Sequence, residues 1–292
     1  MTAANSSSMR ASGDRPPRRR RYRYMAYLGI VGIVVLVFLA SLVILLRRTP
    51  EQLPIQISLV SPLSGPQENR GKKALDAVLL KFSDVNREGG IQGHPLKVIP
   101  YDDAGKPEVA VEKAKQIAAS PAVTVIGHLT SATSSAAGQI YKAAAIPAIT
   151  ALAVAPGITA NNPYYFRIAI DNSTQGHILA AYARNVLGQK RARIIYSDEP
   201  YGKSLEAAFA DEFVDEGGIV ENQWSWEPED TEKQHAALIQ QASEEIANGE
   251  SGVVFVAVTY NQSHILCSIA DLGTISCICT PNFLDLHESN AL

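Results

Sequence analysis

Cysteine is scarce in this chain and lies at one end of it. Among 292 residues there are three cysteines, Cys267, Cys277 and Cys279, all within the last 26 positions. An odd number cannot form a closed set of disulfides, and no CxxC pair or Cys/His zinc spacing occurs. A disulfide-stapled scaffold is therefore excluded, and we expect the three thiols to be small buried side chains.

Motifs of the common nucleotide-binding and hydrolytic sites are also missing. No GxGxxG follows a predicted strand, no GxxxxGK[ST], GxSxG or HExxH occurs, and the six histidines are scattered. The neighbouring carboxylates Asp102 and Asp103 follow a predicted strand. Adjacent residues there point in opposite directions, which suits loop capping better than acid/base catalysis. The sequence thus predicts a protein that is not an enzyme and has no cofactor or metal site.

Basic residues are depleted from most of the chain. Residues 1–48 hold nine of the 26 Lys and Arg residues and one of the 29 acids, so the remainder holds 17 bases and 28 acids, a net charge of −11. Affinity for nucleic acid depends on clustered Lys and Arg. An acidic body therefore argues against a nucleic-acid partner.

One long run has no charge. Residues 25–46 read MAYLGIVGIVVLVFLASLVILL and as a helix would span roughly 33 Å, enough for the ~30 Å hydrocarbon core of a bilayer. The alternative is a cleaved signal peptide, whose apolar core is about 7–15 residues long and ends at a small-residue cleavage site. Here the small pair Ala40-Ser41 lies inside the apolar run. We therefore expect a membrane anchor that is not cleaved.

The arginines predict the orientation of this anchor. Seven precede the run and only Arg47 and Arg48 follow it directly. By the positive-inside rule, the N-terminus lies in the cytoplasm and the body lies outside it, in the periplasm of a cell with an inner membrane.

The remaining sequence alternates short β-branched runs with helical patterns. Residues 1–24 are a basic tail, predicted to be flexible, and residues 47–53 are a linker. Leu205, Phe209 and Phe213 recur every four residues, as on a helix that covers a sheet. Strands are predicted at 55–60, 96–99, 123–126, 148–150, 166–168, 194–196, 219–223 and 253–257, and helices at 69–86, 107–119, 131–141, 174–187, 203–216, 231–247 and 262–272.

This alternation predicts an α/β fold of two similar Rossmann-like lobes with parallel sheets, residues 54–165 and 166–292. Open parallel sheets bind ligands beyond the carboxyl ends of their strands. The loops after the strands are therefore where a site is expected.

An ordered set of blocks resembles the branched-chain-amino-acid-binding (Leu/Ile/Val-binding) family of periplasmic binding proteins. The blocks are IQISLVSPLSGP, NREGGIQGHPLKVIPYDDAGKPEVAVEKA, VIGHLTSATS, IPAIT, FRIAIDNSTQG, RIIYSDEPYGKSL and VVFVAVTY, within about residues 55–272. The resemblance implies a type I periplasmic-binding-protein fold whose lobes close on a small amino-acid-like or amide-like ligand. It implies delivery to the permease of an ABC importer or, alternatively, a ligand-sensing ectodomain with a signalling partner.

The resemblance also implies ligand contacts in the first lobe. The loop after the third strand and the next helix start would bind a ligand carboxylate, and an N-terminal helix end offers free amides for this. Ser131 could alternatively only cap that helix. The loop after the fourth strand would bind the ligand with backbone donors, since the family often has a hydroxyl at the place of Val154. The implied contacts are Thr130, Ser131, Ala132, Leu152 and Val154.

In the second lobe the resemblance points to the DEPYG segment, residues 198–202. Tyr201 would cover the ligand, although a surface tyrosine in a turn is the alternative. Thr259 and Tyr260, after the strand at 253–257, would face the same cleft.

The C-terminal sequence departs from the resemblance. Asn282 aligns with the acid that holds the ligand ammonium in the family, and an amide has no charge to balance an ammonium. Either the ligand is not a standard α-amino acid, or the sequence after Leu272 is no longer family-like. Because members of the family extend further, we expect a truncated or frame-shifted product.

Overall fold

The computed structural model describes residues 18–46, 52–227, 231–259 and 276–279. The chain divides into two units, Met1–Gln52 and Leu53–Leu292, and each is described by itself. In the first unit, helix α1 (Arg18–Leu46) contains the stretch Met25–Val43, which is long and apolar enough to cross a membrane. The predicted apolar run is thus helical. The predicted tail up to residue 17 and most of the linker, residues 47–51, lie outside the described residues.

The first sheet of the second unit has five parallel strands in the order β2-β1-β3-β4-β5. Strands and helices alternate along the chain, which is the arrangement that the sequence pattern predicts. The elements are β1 (Ile55–Ser61), α2 (Glu68–Arg87), β2 (Leu96–Asp102), α3 (Pro107–Ala118), β3 (Thr124–Ile126), α4 (Ser131–Ala144), β4 (Ala148–Thr150), α5 (Gly157–Ala160) and β5 (Tyr165–Arg167).

The second sheet has four parallel strands in the order β7-β6-β8-β9. Helix α6 ends in a π-helical turn, Tyr182–Val186, so the helix predicted at 174–187 changes its hydrogen-bonding pattern in its last part. The elements are α6 (Asn172–Ala181), β6 (Arg191–Ser197), α7 (Pro200–Asp215), β7 (Ile219–Trp226), α8 (Glu232–Asn248), β8 (Val253–Ala257) and β9 (Ser276–Cys279).

The predicted elements in the described residues are all present, with differences at their ends. The short helix α5 and the strand β9 were not predicted. The predicted lobe boundary at residue 165 falls within β5, which pairs with β4 and belongs to the first sheet. The helix predicted at 262–272 lies outside the described residues.

Each sheet is covered by apolar side chains from its helices. In the first, Val60 and Val125 pack with Ile117 of α3 and Tyr141 of α4. In the second, the predicted stripe of α7 (Leu205, Phe209 and Phe213) is fully buried and packs against the strands.

Both faces of the second sheet are buried. Ile194 lies in the cluster under α7, whereas the next residue, Ile195, packs with Ile246 of α8 and Trp226 in a separate cluster. Successive strand residues point to opposite faces, so β6 supplies both clusters. Burial of residues 192–195 on both faces of this central strand holds the loops at its carboxyl end in place.

Candidate functional site

The loop after β3 ends at the start of α4. Thr130 is the N-cap, and its Oγ1 accepts a hydrogen bond from the Thr133 amide at 3.1 Å. Among the described residues, the structure assigns no acceptor to the amides of Ser131 and Ala132 in the first turn. These donors and the positive end of the helix form a place for a negatively charged group.

Ser131 joins two loops rather than capping its helix. Its buried Oγ accepts hydrogen bonds from the amides of Val154, at 3.2 Å, and Ala155, at 3.1 Å. A serine hydroxyl has two acceptor positions and one donor. Both acceptor positions are used, and the O–H remains to donate.

Val154 differs from its expected role. Its amide, expected as a donor to the ligand, is bound to Ser131. Its side chain is only 6% exposed and lies in the buried cluster of the second sheet, together with Tyr201. Val154 is therefore a contact between the two lobes.

Two other backbone amides of this loop also donate hydrogen bonds within the loop itself. Those of Leu152 and Ala153 donate to Thr150 Oγ1, at 3.3 and 3.1 Å. The expectation of backbone donors is therefore not met at residues 152–154. The partly exposed side chain of Leu152 is what this segment can offer a ligand.

A buried polar network underlies both loops, and its centre is His128. The imidazole Nδ1 lies 2.7 Å from Asp103 Oδ2 and Nε2 lies 3.0 Å from the Tyr141 hydroxyl. The His128 carbonyl accepts from Thr150 Oγ1 at 2.8 Å, and its amide donates to the Tyr165 hydroxyl at 3.0 Å. One residue thus connects the loops after β2, β3 and β4.

The two tyrosine hydroxyls of this network stay protonated. Burial raises the pKa of Tyr141 well above its usual value and that of Tyr165 to about 12, so both hydroxyls keep their protons. Tyr165 donates its proton to the Gly127 carbonyl at 2.8 Å.

The paired carboxylates cap loops, as the sequence indicates. Asp102 Oδ1 accepts from the amides of Leu63 and Ala104, both at 2.8 Å, and Asp103 Oδ1 accepts from Gly105 at 3.0 Å. Both acids hold the turn between β2 and α3 in place.

In the second lobe, Tyr201 lies in the first turn of α7 and is 5% exposed, so it is not a surface tyrosine. Its carbonyl accepts from Asn172 Nδ2 at 2.8 Å. The backbone N–H of Asn172 in turn donates to the Val154 carbonyl at 2.9 Å. The fully buried Asn172 therefore connects a candidate loop of each lobe.

Thr259 follows β8 and reaches the same segment. Its side chain forms a hydrogen bond with the Glu199 carboxylate, to which Ser197 Oγ also donates at 3.4 Å. Burial raises the pKa of Glu199, and the two hydroxyls partly offset the effect. Thr259 is thus in contact with the DEPYG segment. Tyr260 and Asn282 lie outside the described residues.

Sequence reasoning did not identify Thr150, His128, Asn172 or Glu199 as part of this site. All four lie inside the blocks that carry the resemblance, but Glu199 alone lies in a segment, DEPYG, that was expected to contain a ligand contact. The other three act through contacts between distant parts of the chain, which a single sequence does not reveal.

The segment between the sheets is held by charged groups. Arg167 donates through Nη1 to the Ala155 carbonyl at 2.9 Å and pairs through Nη2 with Asp171 Oδ2 at 3.1 Å. A groove of about 450 Å³ runs along this segment, and none of the predicted ligand residues lines it. In the described part of the chain, no three His, Cys, Asp or Glu side chains are placed to hold a metal ion.

Comparison with known proteins supports a specific relationship. Residues 54–273 match the family model described as periplasmic binding protein. The chain is 32% identical over 158 residues to the Leu/Ile/Val-binding protein of Escherichia coli (strain K12), covering 54% of this chain and 43% of the relative. It is 29% identical over 167 residues to the leucine-, isoleucine-, valine-, threonine-, and alanine-binding protein of Pseudomonas aeruginosa, covering 56% and 44%. The chain thus spans less than half the length of these curated relatives.

Solved structures show the same fold. The branched-chain amino acid transporter substrate-binding protein of Streptococcus pneumoniae, in complex with isoleucine, has a TM-score of 0.66 at 21% identity and covers 77% of this chain and 64% of its own. A solute-binding protein of an ABC transporter from Rhodopseudomonas palustris, in complex with 3,4-dihydroxybenzoic acid, has a TM-score of 0.66 at 23% identity. The match covers 77% of this chain and 61% of that protein. The predicted two-lobe fold of type I periplasmic binding proteins is confirmed.

Proposed function

Because the chain belongs to the periplasmic binding protein family, we propose that it captures a small amino-acid-like ligand between its lobes outside the cytoplasm. It then presents the ligand to the permease of an ABC importer. The observation that carries this proposal is the link from Ser131 through Val154 and Asn172 to Tyr201, since it joins one candidate loop of each lobe.

The first lobe binds the ligand carboxylate. The amides of Ser131 and Ala132 and the remaining O–H of Ser131 point to one helix end, where a negative charge is favoured. Leu152 supplies an apolar wall beside this group. Aliphatic amino acids should therefore bind better than sugars or dicarboxylates.

The second lobe covers the ligand from the other side. Tyr201 and Thr259 both follow strands of the second sheet at their carboxyl ends, where ligands of open parallel sheets bind. Contacts from both lobes favour the closed arrangement, which the permease distinguishes from the open one. The segment between β5 and α6 is the hinge.

The helix α1 is the membrane anchor in this proposal. Its length and apolar composition support a single span, and the arginines on its N-terminal side support a cytoplasmic N-terminus. The anchor keeps the binding body near the permease.

Calorimetry on the full chain in detergent tests the function. The panel comprises leucine, isoleucine, valine, leucinamide, 3,4-dihydroxybenzoate and glucose. We expect leucine-like ligands to bind best. If no member of the panel binds, the proposed function is wrong.

The matched variant is Ser131→Ala. Loss of one hydrogen bond to a carboxylate costs roughly 1.5–3 kcal/mol, or about 10- to 150-fold in the affinity for leucine. Loss of the Ser131–Val154 bond affects every ligand equally. Leucinamide, which has no carboxylate, should therefore lose less affinity than leucine, and equal losses for both would contradict the carboxylate assignment.

A further inference from the structure

Asn248 and Gly249 form the one Asn-Gly pair of the sequence. Asn248 is the last residue of α8, Gly249 is its C-cap, and both residues are exposed. The pair precedes β8 and so lies at the amino end of the second sheet. The candidate ligand loops follow the carboxyl ends of the strands, so chemistry at this pair is separate from ligand binding.

An asparagine that is followed by glycine can lose its side-chain amide without an enzyme. The glycine backbone nitrogen attacks the asparagine Cγ, and an N–Cγ bond forms. The Cγ–Nδ2 bond breaks, and ammonia leaves with the proton that the backbone nitrogen gives up. Water then opens the succinimide ring at either carbonyl, which yields aspartate or isoaspartate. Glycine favours the attack because it has no Cβ and permits a wide range of backbone angles.

The end of α8 leaves the reacting groups of this pair accessible to each other. Gly249 is extended, with φ −89° and ψ 176°, so the helix stops directly after Asn248. The Gly249 N–H donates to the Ile246 carbonyl at 3.3 Å, which is long for a hydrogen bond. Among the described residues, the structure gives the Asn248 side chain no hydrogen-bond partner. Fraying of the last helical turn, which is common, brings the nitrogen to Cγ.

Asn86 provides a comparison within the same chain. It also lies in the last turn of a helix, α2, but its side chain is held at both ends. Its Nδ2 donates to the Leu96 carbonyl at 2.9 Å, and its Oδ1 accepts from the Leu96 amide at 2.6 Å. The next residue is Arg87, which has a Cβ. Both hydrogen bonds must therefore open before the Asn86 Cγ can react.

Packing requires the glycine that makes the pair reactive. A Cβ at Gly249 would lie 2.0 Å from Arg193 Nη2. The guanidinium is held in place, because Arg193 is only 3% exposed and pairs with Glu221. Its Nη1 and Nη2 also donate to the Glu250 carbonyl, each at 3.1 Å. The arginine thus holds the turn at residues 249–250 against the sheet.

We propose that Asn248 is a site of spontaneous deamidation and isoaspartate formation, and that this modification loosens the turn that Arg193 holds. Isoaspartate lengthens the main chain by one methylene directly before the turn. It also adds a carboxylate to a segment that already contains Glu245 and Glu250. The Glu250 carbonyl is displaced from Arg193, and the second lobe loses stability.

Incubation of the full chain in detergent, at mildly alkaline pH and physiological temperature, tests the proposal. Base accelerates the reaction because it removes the proton of the attacking nitrogen. Peptide mass spectrometry measures the conversion of amide to acid, and chromatography separates aspartate from isoaspartate peptides. An unincubated sample, digested in the same way, gives the background. Conversion at Asn248 should exceed that at Asn86 roughly tenfold or more, because two hydrogen bonds must open at Asn86.

The matched control is Asn248→Gln. It keeps the amide on an exposed helix end, but its extra methylene requires a larger ring, which closes far more slowly. The incubated parent should melt at a lower temperature than the fresh parent, whereas Asn248→Gln should melt at the same temperature before and after incubation. Fresh Asn248→Asp has the charge of the product and an unaltered main chain, and it should melt closer to the fresh parent than the isoaspartate form does.

Three results would overturn the proposal in different parts. Equal conversion at Asn248 and Asn86 would remove the site. An unchanged melting temperature after conversion, or an equal loss in Asn248→Gln, would remove the effect on the turn. If fresh Asn248→Asp melts as low as the isoaspartate form, the added charge and not the longer main chain is responsible, and the proposed displacement from Arg193 is wrong.

Discussion

His128 is a residue whose ring nitrogens and backbone polar groups all have partners. Its ring joins Asp103 and Tyr141, and its backbone joins Thr150 and Tyr165. Such a network is stable only while every member is satisfied. The loops that carry Ser131 and Leu152 therefore depend on a side chain that is fully buried.

Replacement of His128 should show this dependence. His128→Ala leaves the fully buried Asp103 without its ring partner, and we expect a loss of about 3 kcal/mol or more in the free energy of unfolding. Tyr141→Phe removes one hydroxyl and should cost about 1 kcal/mol. Urea unfolding measures both, and a cost below about 1 kcal/mol for His128→Ala would contradict this account.

Asp171 gives a stability contribution that depends on pH. The Thr174 amide, which donates to Oδ1 at 2.9 Å, is the main cause that lowers the pKa of this N-cap. A folded-state pKa below the unfolded value of about 3.9 means that the stabilisation is present above that pH. It is lost as the pH falls through the folded-state pKa.

We therefore expect Asp171→Ala to cost about 1 kcal/mol at pH 7 and progressively less below about pH 4. The control is Thr231→Ala, which removes the non-titrating N-cap of α8. Its cost should not follow pH in this range. Chemical unfolding at several pH values distinguishes the two, and parallel pH profiles would refute the assignment to Asp171.

At the level of elements, α6 and α7 approach each other unusually closely. A methyl group on Gly176 would lie 2.6 Å from the Ala208 side chain and 2.8 Å from the Phe209 amide nitrogen. Alanine favours a helix over glycine by about 1 kcal/mol, but overpacking of a core costs about 1–3 kcal/mol. Packing should therefore outweigh helix propensity at this position.

Gly176→Ala is thus expected to lower the melting temperature. Gly157 is the control, because a methyl group there would meet no atom within 4 Å and its φ is not positive. Gly157→Ala should be neutral or slightly stabilising. A rise in melting temperature for Gly176→Ala would show that the two helices can separate at little cost.

The ends of the elements show what the sequence could and could not predict. Short β-branched runs located every strand of the first sheet, but β2 was predicted to stop at residue 99, before Pro100. The strand continues through Pro100 because β2 is the edge of the described sheet, where a missing N–H is tolerated. Edge position is a property of the sheet and cannot be obtained from the local sequence.

The site was predictable to a similar extent. Ligands of open parallel sheets bind beyond the carboxyl ends of the strands. This principle and the resemblance together located the loops that carry Ser131, Tyr201 and Thr259. The bonding of the Val154 amide to Ser131 spans 23 residues and depends on how two loops fold together. For the same reason, no local pattern predicted that Asn172 joins the lobes.

At the level of the whole molecule, the main prediction is that α1 is retained in the mature protein as a membrane anchor. An uncleaved anchor predicts a mature protein that retains residue 1, stays with the membrane on alkaline extraction and exposes a protease-sensitive body outside the cytoplasm. Intact-mass analysis and protease protection measure this. Recovery of a soluble species that begins near Ser41 would refute the anchor.

The hydrogen bond between Asn172 and Val154 has a mechanical consequence. It lies beside the segment that connects the two sheets. A rotation about that segment would therefore displace Asn172 and Val154 only slightly, whereas residues far from the segment would be displaced by a larger distance. Under the hinge closure proposed above, this contact lies close to the rotation axis and can persist in both the open and the closed state. The entrance for a ligand should therefore face away from Asn172, on the side where the same angle of rotation produces the widest gap.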